Sequence, residues 1–146
     1  MIVVRPAPAH AADTLRLPHH ARALRRRRVT TASGRSVLLD LAETAQLEEG
    51  DGIVLDDGTA LRVEAEPEAL LEARAASPEG LARLAWHLGN RHAPCEVGEG
   101  FLRVPAERPV AVMLAALGAE VREVTAPFRP ERGAFAHAHE GASGGL

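Results

Sequence analysis

The feature that most constrains this chain is a change of hydrophobic period at Glu66-Pro67. Before it, apolar and polar residues alternate in short runs broken by Gly and Asp, the pattern of half-buried strands joined by tight turns. Leu15-Arg16-Leu17 alternates, and Val29 to Leu41 predicts a hairpin turning at Ala32-Ser33-Gly34. Glu49-Gly50-Asp51-Gly52 and Asp56-Asp57-Gly58 bound a second hairpin, Ile53 to Leu55 followed by Thr59 to Ala65. Residues 1 to 14, with Pro6, Pro8 and an Ala-rich run, hold no sustained period and are expected to be irregular.

After Pro67, strand and helix signals take turns. Ala69 to Arg74 suits a short strand; Ser77 is an N-cap candidate, with Pro78 at the first helical position and Glu79 in the first turn of a helix reaching about Leu88. Cys95 to Val97 and Phe101 to Val104 flank the turn Gly98-Glu99-Gly100. A second helix is expected over Glu107 to Leu117, stopped by Gly118, and a last strand over Ala119 to Thr125. The order β-α-β-β-α-β is that of a ferredoxin-like split βαβ unit. The expected fold is therefore α+β: an all-β domain over residues 1–66, a ferredoxin-like domain over 67–130 and a mobile His-containing tail over 131–146.

Composition narrows the function. The chain of 146 residues carries a net charge of −3, and all 17 of its basic residues are arginine. It lacks the broad basic field that non-specific phosphate binding needs, so neither nucleic acid nor an anionic membrane is an expected partner. The Arg25-Arg26-Arg27-Arg28 run, placed at the head of the first hairpin, reads as a solvated face or a docking patch for an acidic protein. A single cysteine forms no internal disulfide, Ile2-Val3-Val4 is too short for a signal-peptide core, and no apolar run is long enough to span a bilayer. The expected location is cytoplasmic.

Chemistry concentrates in Trp86 to Cys95. The stripe Leu81, Leu84, Ala85 and Leu88 runs into Gly89-Asn90, two residues that tolerate the left-handed conformation closing many helices. The helix is expected to stop there and leave Arg91 and His92 on an exposed corner. On its own, His92 reads either as a hydrogen-bonded structural imidazole or as a metal ligand in want of further donors. Cys95 reads as a small apolar strand residue or a thiolate ligand, and the first is expected; His87 is assigned a structural role, and His19-His20 a solvated turn. His137 and His139, two apart, either place two imidazoles on one ion or stay unliganded.

The stretch His87-Leu88-Gly89-Asn90-Arg91-His92-Ala93-Pro94 resembles the signature of the urease accessory protein UreE family, nickel metallochaperones of urease maturation. The likeness extends from about Leu15 to His139 and takes in Phe128 to Phe135, similar to the family's closing motif. It implies a homodimer that binds Ni(II) as cargo through His92 of each subunit, with His137 and His139 supplementing the site. Zn(II) or Cu(II) would also suit these donors in vitro. The implied partners are the GTPase UreG and the urease maturation complex, and the N-terminal domain would be a protein-contact surface resembling a peptide-binding module. One departure is that Val104 to Pro109, where many members carry further histidines, has none, which argues against a secondary storage site.

Three other functions compete. A Zn or Cu carrier or regulatory binding protein with no urease role would use the same donors. An enzyme would need a site with a general base, and no His-Glu-x-x-His run, Gly-x-Ser-x-Gly elbow or phosphate loop occurs. An RNA-reading ferredoxin-like sheet would need surface aromatics, which this half scarcely has.

Overall fold

The computed structural model of the chain describes residues 1–133 and divides into two compact units. Among the described residues, one comprises Met1–Ala69 with Thr125–Arg129, the other Leu70–Val124 together with residues 130–133. No helix among the described residues is long and apolar enough to cross a membrane.

The first unit is built of strands. β1 (Ile2–Val4), β2 (Asp13–Leu17), β5 (Gly52–Val54) and β6 (Ala60–Ala65) form a sheet in the order β1-β5-β6-β2. The β5–β6 and β1–β5 pairs are antiparallel, and β2 lies parallel to β6 with Leu15 opposite Val63. β3 (Ala23–Thr30) and β4 (Ser36–Gln46) make a separate two-stranded sheet, closed by the amide of Thr31 donating to the carbonyl of Arg35 at 2.9 Å with Gly34 at φ 89°. Leu15, Leu24, Val29, Leu39, Leu47, Ile53 and Leu61 belong to the core beneath both.

Two expectations are corrected here. Residues 1–14 are not wholly irregular, since β1 lies within them: three residues carry too little local signal, and it is pairing with β5, about fifty residues away, that makes them a strand. The arginine run lies within β3 rather than at its head. Leu24 and Val29, five apart, would face opposite sides of a regular strand; a register shift between Leu24 and Arg26 lets both enter the core. Arg27 shares the inner face with Val29 and snorkels out, its Nη2 donating to the carbonyl of Ala21 at 2.9 Å, while Arg25, Arg26 and Arg28 are exposed.

The second unit is a ferredoxin-like βαββαβ domain. Its elements are β7 (Pro67–Arg74), which enters from the first unit, α1 (Pro78–Asn90), β8 (Glu96–Gly98), β9 (Phe101–Pro105), α2 (Arg108–Ala116) and β10 (Glu120–Pro127). The strands stand in the order β10-β7-β9-β8, so the first and third strands of the repeat are central. Ser77 caps α1 by accepting from the amide of Gly80 at 3.0 Å, and Pro78 opens the helix. Leu84 and Leu88 of α1 and Val110 and Leu114 of α2 pack with Leu71, Ala73, Leu102 and Val104 of the sheet.

Strand alternation turns Glu72, Phe101 and Arg103 to the opposite face. Glu72 is 1% exposed, yet three arginines reach it. Arg103 donates from Nε and Nη2 to Oε2 at 3.1 and 2.9 Å, Arg74 from Nε to Oε1 at 3.1 Å, and Arg122 from Nη2 to Oε1 at 3.3 Å. Burial would raise this carboxyl, but the hydrogen bonds from Arg103 and Arg74 and the charge of Arg122 outweigh it and hold the group below its ordinary range. The Phe101 ring lies over Gly98, where a Cβ would collide with its Cζ, and the Arg103 guanidinium sits 4.6 Å from the ring centroid.

Candidate metal centre

The end of α1 is built differently from the expected Gly-Asn stop. Gly89 and Asn90 are helical, and the residue that takes the left-handed conformation is His92, at φ 55°. The amide of His92 donates to the carbonyl of Gly89 at 3.0 Å and that of Ala93 to the carbonyl of Leu88 at 3.1 Å. These two bonds, with Arg91 as the C-cap, make a Schellman motif with histidine in the place usually held by glycine. Ala93 packs into the core that holds Leu88, which adds the apolar contact such motifs favour, and Pro94 prevents continuation. Selection of the left-handed residue is thus made by the next apolar contact rather than by backbone freedom. A histidine there costs about 1 kcal/mol or more relative to glycine.

His92 is exposed. His87 is half-buried and meets the Trp86 ring edge-on with centroids 5.0 Å apart, while Trp86 itself is 65% exposed. Cys95 is half-buried, and burial first, then the charges of Glu131 and Glu96, push its thiol up to about 11. Cys95 packs against the core of the second unit. Among the described residues no group of three or more His, Cys, Asp or Glu is placed to hold one ion. His10 and His20 are exposed and His19 half-buried in the first unit, where burial foremost, then the charge of Arg22, lowers the pKa of His19. His137 and His139 lie outside the described residues.

One contact had no local sequence signal. The amide of Glu131 donates to the carbonyl of Cys95 at 2.8 Å, so the chain just ahead of the two tail histidines is bound to the loop that begins at His92.

Fold and corner together define a class: a two-part α+β protein whose ferredoxin-like half presents one exposed imidazole on a strained helix terminus. Residues 2–66 match the family model described as UreE urease accessory protein, N-terminal domain, and residues 68–145 the corresponding C-terminal domain. The chain belongs to the UreE urease accessory protein family. It is 48% identical over 133 residues to the urease accessory protein UreE of Rhodopseudomonas palustris, covering 91% of this chain and 62% of that one. It is 44% identical to the Burkholderia lata protein of the same name, covering 88% and 62%, and 43% identical to that of a Chelativorans strain, covering 91% and 85%. The chain thus spans rather less than two thirds of the first two relatives. The shared name is that of an accessory protein to urease, not of urease itself.

Proposed function

We propose that this protein is a cytoplasmic nickel chaperone of urease maturation, which binds Ni(II) through His92 and delivers it for assembly of the urease active site. The observation that carries the reading is the left-handed backbone of His92, a position that favours glycine and yet holds an exposed imidazole. A single imidazole is one ligand of the several an ion takes, and a two-fold axis near it would supply a second. We therefore assign a homodimer joined through the second unit, with the exposed Trp86, six residues before His92, as apolar surface for that contact. His137 and His139 complete the site. Such a site is open to solvent, and release to a partner requires that it be incompletely enclosed.

Imidazole donors bind Zn(II) and Cu(II) as well, so preference for nickel would come from supply and partners rather than from the donors. The partners proposed are the GTPase UreG and the urease maturation complex. The exposed Arg25, Arg26 and Arg28 on β3 offer those partners a basic surface on a chain of net charge −3. Nickel titration followed by calorimetry, with sedimentation of the metal-free and metal-loaded chain, tests the assignment. Nickel-dependent affinity in a dimer is expected; a monomer in both states contradicts it.

A further inference from the structure

The sheet of the second unit carries its helices on one face only. On the other face three adjacent strands bring an arginine each to one carboxylate: Arg122 of β10, Arg74 of β7 and Arg103 of β9 all reach Glu72. A buried carboxylate needs one opposite charge, and here there are three. Glu96 is a second acid, 3.8 Å from Arg103 Nη1, so two carboxylates face three guanidiniums. The excess charge lies at the rim. The side chain of Arg103 is 23% exposed, whereas those of Arg74 and Arg122 are 44% and 67% exposed. Among the described residues neither Arg74 nor Arg122 is paired with any carboxylate but Glu72.

Both rim arginines are held by what they already touch. Arg74 places Nε and Nη2 at 3.1 and 3.0 Å from Glu72 Oε1, and Arg122 places Nη2 at 3.3 Å from the same oxygen, so two exposed guanidiniums are drawn to one atom from neighbouring strands. Arg74 also lies over the Phe101 ring, 5.3 Å from its centroid. Side chains fixed in this way have little rotamer freedom left to lose, and an incoming anion meets a formed site.

We propose that Arg74 and Arg122 form a docking point for a carboxylate on an acidic segment of a partner protein, with Glu72 and Phe101 as the residues that position them. The docking point uses no histidine and is independent of the nickel reading. A carboxylate fits better than a nucleic-acid backbone because the patch is small and fringed with acid. Glu120 and Glu123, both exposed, flank Arg122 on β10, and Glu96 adjoins Arg103. Two guanidinium forks suit the paired oxygens of one carboxylate, whereas a run of phosphates would have to pass over those acids.

The test is NMR titration of the full chain with a short peptide of alternating Glu and Ala, its Gln-Ala counterpart, inorganic phosphate and an RNA oligonucleotide, read at the arginine Nε–H signals. The Glu peptide is expected to move the Arg74 and Arg122 signals saturably, and less as salt is added, while the Gln peptide moves neither. Arg122→Gln is expected to weaken peptide binding, followed at Arg74, about threefold. Arg122→Lys should recover only part of that, because a point charge lacks the fork. Arg83→Gln removes the same charge from an exposed pair on α1 and is expected to change nothing. Glu72→Gln makes the patch more positive, so charge alone would tighten binding, whereas loss of positioning weakens it; weaker binding is expected. If Glu72→Gln does not fold, Arg122→Lys carries the same distinction. Unmoved Arg74 and Arg122 signals, or an affinity unchanged in Arg122→Gln, overturn the proposal. Tighter binding by Glu72→Gln, or full recovery by Arg122→Lys, reduces the patch to charge alone and overturns the positioning. Phosphate bound as tightly as the peptide makes this a site for an adventitious ion only, RNA bound as tightly gives the face to nucleic acid, and an oligomer lost in Arg122→Gln gives it to a second copy; each overturns the assignment.

Discussion

The amide of Ala93 donates to the carbonyl of Leu88 at 3.1 Å, closing α1 around the left-handed His92 between them. Because the closure is made by backbone and by Ala93 packing, the imidazole contributes little to it. His92→Gly is expected to be more stable than His92→Ala by about 1 kcal/mol, since glycine takes this φ without a Cβ penalty. Urea unfolding of both variants measures the difference, and equal stabilities would show that the left-handed backbone is not under strain.

Glu72 holds three arginines on one buried carboxylate. Glu72→Gln keeps the shape but leaves guanidinium groups facing one another, and breaking such a set costs about 2 kcal/mol once the exposure of Arg74 and Arg122 is allowed for. Denaturant unfolding checks this, with the loss expected in the second unit, where all four residues lie.

Much of the second unit was legible in sequence. Ser77-Pro78 announced the start of α1, and the order of strand and helix signals sufficed for the βαββαβ fold, because caps and periods are local properties. What escaped was long-range or set by competition between neighbours. β1 exists through β5, and the Phe128 carbonyl is chosen by Arg22. The exposed corner was legible in Gly89-Asn90, but not that Ala93, by packing, would pass the left-handed turn to His92.

Asp13 should titrate below the ordinary carboxylate range. The Ser33 hydroxyl at 2.6 Å first, with Thr31 and the amides of Thr14 and Ser33, lowers its pKa to about 2. A carboxyl depressed on folding contributes stability above its unfolded pKa, and that contribution is lost as pH falls through the folded value, here from about 4 towards about 2. Ser33→Ala is expected to bring the Asp13 titration back towards the ordinary range in an NMR pH series; an unmoved titration would show that the hydroxyl is not the cause.

Cys95, with its thiol pushed up to about 11, is expected to stay unreactive towards a disulfide reagent at pH 8 in the folded chain and to react fully once unfolded. Cys95→Ala should leave nickel affinity unchanged. A loss of affinity in that variant would make the thiol a ligand after all.

The account turns on His92, and calorimetric nickel titration of the full chain beside His92→Ala tests it most directly. Ligation takes the neutral ring, so wild-type affinity should weaken as pH is lowered. The variant should keep its fold but lose the high-affinity nickel, retaining weak binding that vanishes when the chain is ended after Gly133. Wild-type stoichiometry, affinity and pH dependence in His92→Ala would contradict the assignment.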